Sequence, residues 1–206
     1  MNRTIIFDFD GTIANTLDSV VKIVNEHSEH FGYKKVTKQD IPYLQGKKPR
    51  EILSYLGISI IKLPFWIQKI HSEMNKEISN LASTVDILPV LSKLNEKYRL
   101  GILTSNTQEN VREFLVKNNI NLFDFIHTGK SVFGKSHIIN KIIKQQKINK
   151  NEIIYVCDEI RDIEAAKKSG IKVAAVTWGY NSKEALQKEN PDFLIDTPEE
   201  LKNIFI

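Results

Sequence analysis

The sequence predicts an α/β fold, a Rossmann-like parallel sheet with helices on both faces and a small all-helical domain inserted after the first strand. Three observations predict it. Apolar runs of four to six residues, rich in Ile and Val, recur along the chain without the polar alternation of a half-exposed strand. Every run but the last is followed by turn residues and then a helical pattern. The interval between the first and second runs holds helical patterns alone.

In chain order, the first run is "TIIFDF", residues 4 to 9. From Asn15 to Ala82 no strand run occurs, and stretches such as "SVVKIVNEHSEHFG" and "LPFWIQKIHSEMNKEISNLA" carry helical periodicity. This predicts a core of residues 1–14 and 83–206 interrupted by a helical domain over 15–82. The core continues as a helix from Leu88 to Tyr98, the strand "RLGILT" (99 to 104), and a helix from Gln108 to Asn118. "FDFIH" (123 to 127) precedes a helix from Ser136 to Gln146, and "IIYVC" (153 to 157) precedes one from Ile160 to Ser169. "KVAAVT" (172 to 177), a helix from Ser182 to Lys188 and a last strand "DFLI" (192 to 195) complete the pattern.

Composition narrows the function. With 206 residues, 41% hydrophobic and 26% charged, the chain can bury a substantial core. Its formal charge of +4 is scattered as single lysines among glutamates, not gathered into the basic blocks that track nucleic acid. A single cysteine, Cys157, permits no internal disulfide, and as a small buried residue at a strand end it has no expected redox role. No stretch approaches the roughly 18 apolar residues of a membrane span, and the N-terminal run is broken too soon by aspartates for a signal peptide. A cytoplasmic protein that binds neither membrane nor nucleic acid is expected.

In such a sheet the chemistry gathers beyond the carboxyl ends of the strands. There the sequence places Asp8, Asp10 and Thr12 after the first strand, and Thr104, Ser105 and Asn106 after the second. Gly134 and Lys135 follow the third; Asp158, Glu159 and Asp162 follow the fourth. Solvent-facing loops carry polar residues as a matter of course. Asp8 does not fit that explanation, because Phe7 and Phe9 flank it inside an apolar strand, where a carboxylate needs a cation or several donors to offset its desolvation. Converging carboxylates together with the Asp10 carbonyl make an all-oxygen site suited to Mg²⁺ and to phosphoryl chemistry. With the metal, Lys135 and Thr104 neutralising a phosphoryl group, Asp8 can attack phosphorus to give an aspartyl-phosphate. Asp10 is placed to protonate the leaving oxygen and later to deprotonate water.

"FDFDGTIANT" resembles the DxDGT signature of the haloacid dehalogenase-like phosphohydrolases. "GILTSN", Lys135 and "VCDEIRDIEAA" follow in that family's order. "AVTWGYNS", "PDFLIDTPEEL" and the helical insert are similar to the closing segments and cap of its phosphoglycolate phosphatase-like branch, so the resemblance spans the chain. It implies Asp8 as nucleophile, Asp10 as general acid and base, and Thr104 and Lys135 as phosphate-holding groups. Mg²⁺ would bind Asp8, the Asp10 carbonyl and Asp158, with Asp162 orienting a water of the metal. Thr12, Ser105 and Asn106 are candidates for substrate contact. The implied substrate is a small phosphorylated metabolite, and the implied assembly a monomer or homodimer. Cys157 stands where the family usually has glycine, and Ser136 where it often has proline. Neither change removes a catalytic group.

Three alternatives compete with this reading. "GKSVFGKS", residues 129 to 136, fits the P-loop pattern GxxxxGK[ST]. A P-loop protein carries that loop on an early strand, however, and the residues after Ser136 leave room for only two or three more strands. It would also leave Asp8, Asp10, Thr104 and the insert unused. In the phosphatase reading Gly129 and Gly134 shape a turn and Ser136 at most caps a helix. A signalling receiver module would need its phosphoacceptor aspartate at the end of the third strand, near His127, where none stands. A phosphomutase of the same family would pass the phosphoryl group to a sugar hydroxyl and is scarcely distinguishable in sequence.

Within the insert, "QGKKPREIL" (45 to 53) brings Lys47, Lys48 and Arg50 to a turn just before a helix, where Arg50 could pair with an anionic end of the substrate. His27, His30 and His71 read as ordinary helix residues, not zinc ligands. Phe65, Trp66, Ile70 and Met74 read as packing within the insert, and Trp178 and Tyr180 as wall or packing residues near the active edge.

Overall fold

A computed structural model describes residues 3–129 and 134–206. The chain opens with β1 (Thr4–Phe7) and continues through four helices, α1 (Leu17–Phe31), α2 (Ile41–Leu44), α3 (Pro49–Leu56) and α4 (Leu63–Glu77). It then builds α5 (Ile87–Asn95), β2 (Arg99–Thr104), α6 (Gln108–Lys117), β3 (Phe125–Thr128) and α7 (Lys135–Gln146). The last third holds β4 (Ile153–Cys157), α8 (Ile160–Ser169), β5 (Lys172–Val176), α9 (Lys183–Lys188), β6 (Phe193–Ile195) and α10 (Pro198–Phe205).

All six strands pair in parallel, in the order β3-β2-β1-β4-β5-β6. Side chains alternate between the two faces, as the period of two requires. Ile5 and Phe7, Leu100 and Ile102, Val156, and Ala174 and Val176 point into one core with residues of α5, α6 and α10. Ile6, Leu103, Tyr155, Cys157, Val173 and Ala175 point into the other with residues of α7 and α8. This double burial is why the strands read as unbroken apolar runs. Ile5, Ile6 and Phe7 are fully buried, each removal from water stabilising the fold by about 1.5–3 kcal/mol.

The chain builds β2 and β3 on one side of β1, then returns to place β4 on the other. Phe7, Ile102 and Val156 stand in register, so β1, β2 and β4 end side by side at this switch point. The segments after them carry Asp8, Thr104 and Asp158.

Among the helices between β1 and β2, α1 and α4 pack together around Trp66, which is 4% exposed and meets Phe31 and Tyr33 edge-on at 4.3 and 4.9 Å between ring centroids. Met74 is buried as expected, and Phe65, although 53% exposed, meets Phe31 edge-on at 5.7 Å between ring centroids. A difference from expectation lies at the C-terminus. Helix α10 follows the last strand, where sequence periodicity predicts none; Thr197 caps it by accepting from Glu200 N–H, and Pro198 occupies its first turn. No helix among the described residues is long and apolar enough to cross a membrane.

Candidate active site

The end of β1 drives a carboxylate into the interior. Asp8 N–H continues the sheet by donating to the Val156 carbonyl at 2.8 Å, which turns the side chain toward α7 and α8 and leaves it 2% exposed. Lys135, the first residue of α7 and 4% exposed, donates through Nζ to Asp8 Oδ2 at 2.7 Å and to Asp162 Oδ2 at 2.6 Å. A further donation reaches the Tyr155 hydroxyl at 3.1 Å. Burial alone would discharge such a lysine, but Asp162 and Asp8 outweigh it and hold the ammonium pKa above its ordinary value.

Asp158 follows β4 and is fully buried. Its Oδ1 accepts from the Thr12 hydroxyl at 2.7 Å and its Oδ2 from Tyr180 N–H at 2.8 Å. Two glycines allow this. A Cβ on Gly11 or on Gly179 would lie 2.2 Å from Asp158 Oδ2, and Gly11 also holds a φ of +77°. The Tyr180 hydroxyl shares a hydrogen bond with Thr16, and Trp178 Nε1 donates to the Thr12 carbonyl. Both aromatic residues therefore form walls around the loop after β1.

Asp10 is gripped from the β2 side. Asn106 Nδ2 donates to its two carboxylate oxygens at 3.0 and 3.2 Å, and the Thr104 hydroxyl donates at 3.4 Å while accepting from Asn106 N–H. Behind Asn106 stands Asn110, whose Nδ2 donates to Asn106 Oδ1 and to the His71 carbonyl of α4, and whose Oδ1 accepts from Asn75. Ser105 and Asn106 line a cleft of about 1080 Å³ between α4 and the start of α6, with Gln68, His71 and Asn75 on the opposite wall. His71 is thus a cleft residue and not a plain surface one, and burial lowers its pKa.

Among the described residues, Asp8, Glu159 and Asp162 each offer a carboxylate oxygen within 4.8 Å of the others. Glu159 is the residue that sequence reasoning left without a role; its place at the start of α8, beside Arg161, brings it into the cluster. Among the described residues, four buried carboxylates, those of Asp8, Asp158, Glu159 and Asp162, gather around the two buried cations Lys135 and Arg161. Burial pushes Asp8 well above the ordinary carboxylate range against the pull of Lys135, and Asp162 and Asp158 raise it further. Burial and then Glu159 push Asp158 up to about 7. Asp162 is also opposed by burial, yet Lys135 and Arg161 hold it below its ordinary value. Burial raises Asp10, with Asn106 and Thr16 drawing it back. Asp162 Oδ1 is buried and meets no hydrogen-bond partner among the described residues. Surplus negative charge, all-oxygen donors and an orphaned carboxylate oxygen fit a hard divalent cation such as Mg²⁺.

Other candidates lie elsewhere. Arg50 is exposed in the first turn of α3 and is not among the residues lining the cleft. Lys48 Nζ pairs with Glu164 and Glu189 of the core, and Lys47 with Glu51. Lys130 to Phe133 of the P-loop pattern lie outside the described residues. Gly129 N–H donates to the Thr104 carbonyl, Gly134 is the N-cap of α7, and Lys135 is engaged by Asp8 and Asp162. Ser136 is therefore not a cap but the second residue of the helix, with its carbonyl accepting from Asn140 and Ser169.

The sequence profile described as haloacid dehalogenase-like hydrolase matches residues 5–176. A phosphoglycolate phosphatase from Synechococcus elongatus is 31% identical over 201 residues, covering 97% of this chain and 95% of that protein. Pyrophosphatase PpaX from Anoxybacillus flavithermus is 27% identical over 214 residues, covering 98% and 96%. Among solved structures, a haloacid dehalogenase-like family hydrolase from Streptococcus pneumoniae superposes with a TM-score of 0.84 at 21% identity, covering 99% of this chain and 98% of that one.

Proposed function

Because the chain belongs to the haloacid dehalogenase-like hydrolases, we propose that it is a Mg²⁺-dependent phosphatase of the cytoplasm that hydrolyses a small phosphorylated metabolite. The observation that carries this reading is the buried Asp8 carboxylate, held by Lys135 within a cluster of acids. Asp8 is the nucleophile. Its oxygen forms a bond to phosphorus as the bond to the leaving oxygen breaks, and Asp10 gives that oxygen a proton. Water then attacks the aspartyl-phosphate, Asp10 takes its proton back, and inorganic phosphate leaves with Asp8 restored.

Thr104 and Asn106 aim the Asp10 carboxylate, as their hydrogen bonds to it support. Lys135 offsets charge on Asp8 and on the phosphoryl group. Asp8, the Asp10 carbonyl and Asp158 would hold Mg²⁺, with Asp162 and Glu159 beside them. When bound, the cation supplies charge neutralisation of the phosphoryl oxygens. Residues 15–82 serve as a cap that shields this chemistry from water, a role supported by the cleft between α4 and α6.

The 31% identical relative makes phosphoglycolate the first substrate to try, and the PpaX relative adds pyrophosphate. The test is a screen of phosphorylated metabolites with the wild-type protein and Asp8→Asn. Wild type should release inorganic phosphate with no sugar acceptor present, which a phosphomutase would not, and the variant should release none. Turnover by Asp8→Asn near the wild-type rate would refute the mechanism.

A further inference from the structure

Asn181, in the loop between β5 and α9, is 6% exposed and joins two parts of the chain far apart in sequence. Its Nδ2 donates to the carbonyls of Gln45, at 2.8 Å, and Lys47, at 3.3 Å, in the turn between α2 and α3. Its Oδ1 accepts from Ile160 N–H at 2.9 Å, at the start of α8, and its own N–H donates to the Asp158 carbonyl at 3.2 Å. The amide can lie only one way round, because a backbone N–H must donate and the two carbonyls must accept. The neighbouring Ser182 N–H adds a second bond to the Gln45 carbonyl, at 2.9 Å.

The two ends of this joint differ in chemistry. One is the backbone of Asp158 and Ile160, which carries Asp158, Glu159 and Asp162 of the acid cluster. The other is an exposed turn of the inserted helices. Lys48 also crosses between them, to Glu164 and Glu189, but as a half-exposed ion pair it contributes little. The buried amide is the stronger tie, since leaving its partners unmet costs the full desolvation of each.

We infer that Asn181 is a positioning residue that couples cation binding at the acid cluster to docking of the Gln45–Lys47 turn. The inference rests on the metal-dependent reading above. A cation that draws the cluster's carboxylates together fixes Asp158 and Ile160, hence Asn181, hence the turn. The coupling is reciprocal, so a docked turn also strengthens cation binding.

Hydrogen exchange of residues 41–51 in the full-length protein, with and without MgCl₂, tests it, with Mg²⁺ affinity measured alongside by calorimetry. In the wild type, Mg²⁺ should slow exchange in this segment about fivefold. Asn181→Asp is close to isosteric, keeps the acceptor for Ile160 and loses both donors; it should bind Mg²⁺ yet show no Mg²⁺-dependent slowing. Asn181→Ala should behave likewise. A merely structural role would change exchange equally with and without the cation. Mg²⁺ binding without slowing in the wild type, or equal slowing in Asn181→Asp, would overturn the coupling and leave the phosphatase reading standing. A wild type that binds no Mg²⁺ would overturn the metal reading and the coupling with it.

Discussion

Lys135 Nζ lies 2.7 Å from Asp8 Oδ2 although 127 residues separate the two, and the same ammonium reaches Asp162 at 2.6 Å. Both contacts are buried, so the lysine is at once a structural counter-ion and the cation closest to the proposed nucleophile.

Lys135→Ala should therefore fail in two ways. Removing one partner of a buried pair leaves Asp8 without its ion-pair partner and Asp162 with Arg161 alone, and destabilises by about 3–5 kcal/mol. Losing a charge aimed at the phosphoryl group should lower kcat by about 10²–10³. Urea unfolding and steady-state phosphate release measure the two losses separately. A stable variant with undiminished kcat would remove Lys135 from the mechanism.

Ser136→Ala is the contrasting variant. The Ser136 backbone carbonyl is engaged by Asn140 and Ser169, while Gly134 occupies the capping position that the hydroxyl was expected to serve. Stability should stay within about 0.5 kcal/mol of wild type and kcat should be unchanged. A P-loop would need that hydroxyl on its metal, so a crippled Ser136→Ala would revive the nucleotide reading.

Much of this site was legible in the sequence because the sheet's own regularity marks it. Asp8 stands out between Phe7 and Phe9 since a charge in a doubly buried strand demands an explanation, and Asp158 follows a second such strand. What stayed hidden depends on contacts across long separations. Asn181 meets Gln45 over 136 residues, and Asn110 meets Asn75 of α4 over 35. Single-residue chemistry gives no hint of either. Glu159 was visible as an acid at a strand end, but its convergence with Asp8 follows from the direction in which α8 starts. Helix α10 escapes apolar periodicity because it is short, yet its start is readable in Thr197-Pro198-Glu199-Glu200, which joins an N-cap, a first-turn proline and acids near the positive end of the helix. Periodicity places Phe65 and Trp66 together in packing, and both meet Phe31 of α1, but neighbours in a helix point about 100° apart, so Trp66 is buried while Phe65 keeps half its surface in solvent.

The acid cluster should also set the pH dependence of stability. Asp8 and Asp158 have folded-state pKa values raised above those of the unfolded chain, Asp158 to about 7. Between the ordinary carboxylate range and that value the folded state binds more protons, so stability without metal should fall as pH rises through this window. Asp162 acts oppositely; its lowered pKa gives stability that is lost only in more acidic solution. A cation replaces the protons on the cluster, so Mg²⁺ should raise Tm more at about pH 7.5 than at about pH 5. Equal Tm shifts at the two pH values would count against a metal at these carboxylates.

Gly179→Ala tests how tightly Asp158 is held. The added Cβ would stand 2.2 Å from Asp158 Oδ2 and 2.3 Å from its Cβ, distances no packed pair sustains. Asp158 has little freedom to retreat, because Thr12 and Tyr180 N–H fix both of its oxygens. Overpacking of this kind costs about 1–3 kcal/mol, and displacement of Asp158 should lower phosphatase activity as well. The cause can be isolated by a double-mutant cycle. In an Asp158→Gly background the obstructing side chain is gone, so Gly179→Ala should cost markedly less stability than it does in the wild type, a coupling readable by urea unfolding of the four proteins. Additive costs would mean that Gly179 is needed for its backbone and not for the space it leaves to Asp158.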